Sequence, residues 1–184
     1  MSKTRIFVLL SIIVAGIVGT VLFSPAMPVL AVYNRKNPSQ RFYSLAGYKN
    51  GFVISYTHSV NKGRVRDFYQ PTKDNQLKLD KTIFVSYGAG IPEPGETPGA
   101  VFTVLEDGYQ ISNLNRVIPN LTMAVGIIAN HAITFWENAD GDANLATNLQ
   151  PVDYYLTDYF PPQTSLILEI QRVSLLNYTF HKFK

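Results

Sequence analysis

The chain has no cysteine. That absence excludes disulfides, thiolate metal sites, a cysteine nucleophile and the lipid-bearing anchor of a lipoprotein. Histidine is scarce: His58, His131 and His181 are far apart and lack the spacing of zinc ligands. No Gly-x-Ser-x-Gly elbow is present to expose a serine nucleophile, and there is no internal repeat. An excess of one charge is also missing. Sixteen basic residues face 13 acidic ones, and two of the basic ones, Lys3 and Arg5, precede the first apolar run. The rest of the chain is therefore almost neutral. A nucleic-acid module carries a basic excess on one face, so nucleic acid is not an expected partner. Apolar residues make up 46% and aromatics 12%, enough to fill a core and unlike a disordered chain.

The amino terminus holds an uncharged run from Ile6 to Phe23. As a helix it spans about 27 Å, close to the hydrocarbon thickness of a bilayer, and it has no polar face to suit a buried amphipathic helix. Pro25 and Pro28 end it. Lys3 and Arg5 hold its start in the cytoplasm, which puts the remainder outside the cytoplasmic membrane. The run exceeds the typical ~7–15 residues of a signal-peptide core. The expected organisation is a signal anchor or signal peptide over 1–31, a polar tether over 32–41, and an extracytoplasmic domain over 42–184. A single-pass anchor is the first reading. Cleavage near Ala31, releasing a secreted or periplasmic domain, is the alternative.

Beyond the tether the dominant period is two. Phe52, Ile54, Tyr56, His58 and Val60 share one parity, and Ser55, Thr57 and Ser59 the other. Leu77, Leu79, Ile83, Val85 and Tyr87 alternate with polar residues, as do Leu166, Leu168 and Ile170. Such alternation predicts strands with one buried face. Turn signals at Asn61-Lys62-Gly63, Lys73-Asp74-Asn75, Glu106-Asp107-Gly108, Asp140-Gly141-Asp142 and Pro161-Pro162 separate them. Further strands are expected near 100–105, 108–112, 121–128, 131–136 and 175–182, with one short helical turn near 143–150. The fold class predicted is all-β, an antiparallel β-sandwich or partly closed barrel behind one N-terminal helix. Two long loops, 86–99 and 137–151, interrupt the rhythm and are functional candidates.

The charged run after residue 57 carries the candidate chemistry. His58 and Ser59 are adjacent in a predicted strand, so they point to opposite faces and cannot act as base and nucleophile. Arg64 and Arg66 share one face of the next strand; Val65, Asp67 and Tyr69 share the other. In a hairpin Asp67 is expected near the His58 face, where a carboxylate orients an imidazole and raises its pKa. Asp140, Asp142 and Asn144 resemble the start of a calcium loop, but an EF-hand needs glycine and glutamate where Leu145 and Pro151 stand. No metal or cofactor is expected. Tyr87-Gly88-Ala89-Gly90-Ile91-Pro92 does not open a helix as a phosphate loop does, because Pro92 and Pro94 follow; a tight turn presenting N–H groups is the reading.

"YTHSVNKGRVRDFY", then "LKLDKTIFVSYGAGIPE", then a "YQI" strand resembles a group of small bacterial exported domains of unknown function. These are encoded beside the fused permease of TAXI-type TRAP transporters, which use an extracytoplasmic solute-binding protein. The resemblance covers roughly residues 50–175, and its specific parts are His58-Ser59-Val60 and Gly88-Ala89-Gly90-Ile91-Pro92. Asp67 fits the acid that follows the His-Ser-Val element. Arg64, Arg66 and the long first helix have no counterpart that the resemblance assigns. It implies a neighbourhood, not a mechanism.

The reading is a membrane-tethered accessory domain, not an enzyme, that recognises a transporter permease or its solute receptor. His58, Ser59, Lys62, Arg64 and Asp67 with Tyr87, Gly88, Gly90 and Pro92 are the expected interaction residues. The alternative is a small-ligand site under the 86–99 loop, lined by Tyr56, Tyr69, Tyr87 and Trp136. A hydrolase using His58 and Asp67 is the third reading; it requires both groups in one cleft.

Overall fold

The computed structural model of the protein describes residues 3–60, 62–86, 95–138 and 149–183, with backbone only at 137 and 138. Helix α1 (Lys3–Phe23) carries no charge after Arg5, is apolar from Ile6 on except for Ser11 and Thr20, and buries no residue. The chain continues as β1 (Met27–Asn34), β2 (Arg41–Ser44), α2 (Leu45–Asn50), β3 (Phe52–Thr57), β4 (Arg64–Pro71), β5 (Leu77–Phe84) and β6 (Val101–Leu105). Then come β7 (Gly108–Ser112), β8 (Arg116–Ile118), β9 (Leu121–Ala124), β10 (Ala132–Asn138), β11 (Leu149–Tyr155), a 3₁₀ turn (Leu156–Asp158), β12 (Ser165–Val173) and α3 (Leu175–His181).

Two antiparallel sheets result. One is four-stranded, in the order β2-β1-β12-β9. The other is eight-stranded, in the order β11-β10-β3-β4-β5-β7-β6, with β8 paired to β5. The alternating apolar residues meet between them: Leu30, Val32, Leu166 and Leu168 from the first sheet pack with Phe52, Ile54, Ile133 and Phe135 from the second. The expected antiparallel sandwich is therefore present, and among the described residues no sheet closes into a barrel.

Several elements differ from the sequence reading. The boundary at Ala31 falls inside β1, which lies between β2 and β12. Val29, Leu30, Ala31 and Val32 are all fully buried. Leu30 and Val32 face the sandwich core, while Val29 and Ala31 face Tyr43, Val173 and Tyr178 on the other side. A strand covered on both faces loses its alternation and reads as part of an apolar leader. The tether shrinks to the turn between β1 and β2. Residues 175–181 are a helix, not a strand: Ser174 Oγ accepts from Asn177 N at 3.2 Å, an N-cap that starts α3. Helix α2 is similarly opened by Ser44 Oγ, which accepts from Gly47 N at 2.9 Å. It ends at Gly51, with φ +76° and the Tyr69 carbonyl oxygen 2.5 Å from where a Cβ would stand, so only glycine fits. The strand expected over 121–128 stops at Ala124. Of the helical turn expected near 143–150, residues 149 and 150 begin β11 and the others lie outside the described residues.

Candidate functional site

The hairpin of β3 and β4 divides the predicted site residues among three places. Its turn is closed by His58 N donating to Gly63 O (2.9 Å) and Lys62 N donating to His58 O (3.1 Å). Lys62 has φ +57°. His58 is half-buried just past the end of β3, and its Nδ1 accepts from Val60 N at 3.3 Å. The imidazole thus shapes the turn. Ser59 and Lys62 are exposed and border a hollow of about 470 Å³ with Val125, Ile127, Ile128 and Gln163. Ile127 and Ile128 are 69% and 79% exposed there.

Asp67 goes to the interior. It stands opposite Ile54 in the ladder, and from Ile54 to His58 is about 13 Å of extended chain. The expected His58–Asp67 pairing is therefore not formed, and the two groups do not share a cleft. Instead Asp67 accepts from Thr82 Oγ1 at 2.6 Å and from the Tyr56 hydroxyl. Burial raises its pKa above the usual carboxylate value, and these two hydrogen bonds only partly oppose that. Burial, with Asp67 beside it, pushes the Tyr56 phenol up to about 12, and burial raises that of Tyr69 as well. The group is a polar node inside the sandwich. Nearby, His131 Nδ1 accepts from Gly126 N at 3.1 Å, and its pKa is lowered by burial and by Arg64.

Arg64 goes to the outer face of the larger sheet, with Arg66. A trough of about 650 Å³ runs there, across β4, β3, β10 and β11. The registers lay out its rows. Arg66, Ser55, Ala132 and Tyr155 form one row, and Phe68, Val53, Thr134 and Asp153 form the next. Ser55, Val53, Ala132 and Thr134 are buried and make a low floor. Arg64, Arg66 and Phe68 rise on one side; Pro151, Asp153 and Tyr155 rise on the other, about 14 Å away at three strand spacings. Trp136 and Asn130 also line the trough. Arg64 donates to Ser55 Oγ (2.6 Å) and to the carbonyl oxygens of Asn130 (2.8 Å) and Ala129 (3.4 Å). These acceptors are neutral. Burial lowers the guanidinium pKa, and Arg66 beside it acts the same way, while Tyr155 and Asp153 act the other way. Asp153 accepts from Thr134 Oγ1 at 2.6 Å.

Of the expected ligand-pocket residues that are described, only Trp136 lines this trough. Tyr56 and Tyr69 turn inward to the core. Tyr87, Gly88, Gly90 and Pro92, and the Asp140–Asn144 stretch, lie outside the described residues. The β11 wall was missed by sequence reasoning, which took 137–151 as a loop; the alternation of Pro151, Asp153 and Tyr155 was the available signal.

The class of protein is thus an antiparallel β-sandwich that follows an apolar N-terminal helix and bears an arginine-walled trough on its larger sheet. Residues 52–140 match a family model described as Domain of unknown function (DUF1850). Neither the curated proteins nor the solved structures give a match. The matched stretch begins with β3 and runs past β10, so it includes the trough's floor and arginine wall but neither β11 nor the strands β1, β2 and β12.

Proposed function

We propose that the protein is a membrane-tethered accessory domain that works outside the cytoplasmic membrane and recognises the solute receptor of a TRAP-type transporter, by binding and not by catalysis. The observation that carries the tethered part is the join between α1 and β1. Only Ser24, Pro25 and Ala26 separate an unburied apolar helix from a strand locked between two neighbours. Arg172 holds that join by donating to Ala26 O at 3.1 Å. A cut after Ala31 removes Met27 to Ala31, more than half of a core strand, so retention of the anchor is the consistent reading. At 21 residues, α1 reaches about 31 Å, enough to cross the hydrocarbon. Helix α3 contacts α1 and exposes Leu175, Leu176 and Phe180, with His181 and Lys182 following. That composition suits a helix lying in the head-group zone.

The transporter link rests on the resemblance of the motifs at 56–69, 77–93 and 109–111. The geometry favours the receptor over the permease as partner. Met27 starts β1 at the anchored end, and Asn34 ends it about 23 Å away. The 125–130 turn lies at that far end, since Val125 N donates to Thr164 O beside Ser165, and β12 begins at Ser165, next to Leu166, the partner of Asn34. Its exposed Ile127 and Ile128 therefore point away from the lipid, toward a soluble partner. A photo-crosslinking residue at 128, used in intact membranes, is expected to capture a solute-binding protein, and Ile127→Asp with Ile128→Asp to abolish the capture. Crosslinks only between copies of this chain, in cells that express the transporter, overturn the docking reading.

A further inference from the structure

We infer that the trough on the outer face of the larger sheet is a binding site for a small organic acid, with its carboxylate on the Arg64–Arg66 wall and its apolar body over Val53 and against Phe68 and Trp136. This goes beyond docking at the tip and uses a different surface. The first support is composition. A sheet face turned to solvent is ordinarily polar, yet this one carries Val53, Phe68, Trp136 and Tyr155 between polar groups. Val53 is only 4% exposed, sheltered by the taller walls on either side. A concave apolar floor with a few convergent polar groups is the usual build of a ligand site.

The second support is charge. Arg64 and Arg66 are alternate residues of β4, about 7 Å apart on one face. Neither forms an ion pair with a described residue: Arg64 donates only to neutral oxygens, and Arg66 is exposed without a hydrogen bond to a described residue. Across the trough Asp153 contributes one negative charge, already hydrogen-bonded to Thr134. Two guanidinium groups against one carboxylate leave a single positive charge in the trough, which matches a monoanion. The planar fork of arginine suits a carboxylate in two-point contact. Behind the arginine wall lie Lys81, whose Nζ sits 4.4 Å from the Phe68 ring centroid, and the acids Glu106 and Asp107, which border a second hollow that the far side of Arg64 and Arg66 also lines, with Ile83 and Leu105. Those acids repel an anion from that side, so the carboxylate belongs on the trough side. Asp153 and the Tyr155 hydroxyl, at the opposite wall, suit a hydroxyl or amino group on the far end of the ligand.

The third support is also the readout. Trp136 is the only tryptophan in the chain and lines the trough. Tryptophan fluorescence of the full-length protein in detergent therefore reports on this site alone. The probes are phenylacetate, 4-methylpentanoate, the amide phenylacetamide and inorganic phosphate. At least one of the two acids is expected to change the fluorescence saturably below about 10 mM, with the amide at least tenfold weaker. Arg66→Gln is expected to weaken the acid at least tenfold without altering thermal unfolding, because the side chain is exposed and hydrogen-bonds no described residue. Arg64→Gln gives a second measure. No saturable change with either acid, equal binding of acid and amide, or unchanged binding in Arg66→Gln overturns the inference. Phosphate binding as tight as the acids would show a general oxyanion site and overturn it as well. Capture at residue 128 does not depend on these arginines, so the two readings fail separately.

Discussion

Arg66 and Asp67 are neighbours in the chain and belong to opposite sides of the larger sheet. Arg66 stands over Ser55 in the open trough; Asp67 stands over Ile54 in the closed core. One step along a strand separates a solvated cation from a largely buried carboxylate, and the two have different consequences when altered.

For Asp67, the raised pKa fixes a pH dependence. The folded chain binds this proton more readily than the unfolded one, so stability falls as pH rises from the ordinary carboxylate value, ~3.9, through the raised folded value. Asp67→Asn is expected to flatten that part of the profile, measured as urea midpoints from pH 3 upward. Asp67→Ala is expected to cost about 1–3 kcal/mol, because the Thr82 and Tyr56 hydroxyls lose their acceptor. His58→Ala, in a half-exposed turn, is expected to cost less than about 1 kcal/mol.

His131 has the opposite sign. Its pKa is lowered in the folded state, so the unfolded chain takes up the proton first. Stability is fully present above ~6.5 and declines as pH falls from there toward the folded value. His131→Gln is expected to remove that decline. A profile between pH 7 and 5 that is identical in wild type and variant would contradict the assignment.

The join at Ala26 predicts unequal truncations. A protease site placed after Ala26 is expected to release a folded domain. One placed after Ala31 is expected to yield an unfolded product, seen as loss of a cooperative thermal transition. Leu30→Ala, at a fully buried core position, is expected to cost about 2–5 kcal/mol.

The lipid-facing reading of α3 predicts that Leu176→Ser with Phe180→Ser weakens vesicle binding by the domain released after Ala26. Thermal stability should barely change, since both side chains are exposed. Equal co-flotation of variant and parent would count against it.

How much of this was legible beforehand depended on whether the signal was local. The strands with one wet face could be read from their alternation: Phe52, Ile54 and Tyr56 against Val53, Ser55 and Thr57 gave both β3 and its faces. β1 could not, because Val29 to Val32 are covered on both sides and carry no polar beat. α3 was hidden because apolar residues at 175, 176, 178 and 180 satisfy a strand as easily as a short helix, and only the Ser174 cap decides. For the site, the shared face of Arg64 and Arg66 followed from parity. Their opposite wall did not, because the juxtaposition of Ser55, Ala132 and Tyr155 is set by pairing between strands distant in sequence. The expected meeting of His58 and Asp67 failed on parity and distance: Asp67 points inward at Ile54, while His58 has already left the strand.

The pairing of β1 with β12 also governs how the chain is made. The first strand synthesised waits for the last one before its sheet can close. Until then an apolar ribbon, Val29 to Val32, stands unmatched beside the anchor, and long-range closure of this kind is slow and exposed to misassembly. Nascent chains stalled before Ser165 should therefore be substrates for holdases and proteases, and release of the carboxyl terminus should be the event that commits the protein to its native form.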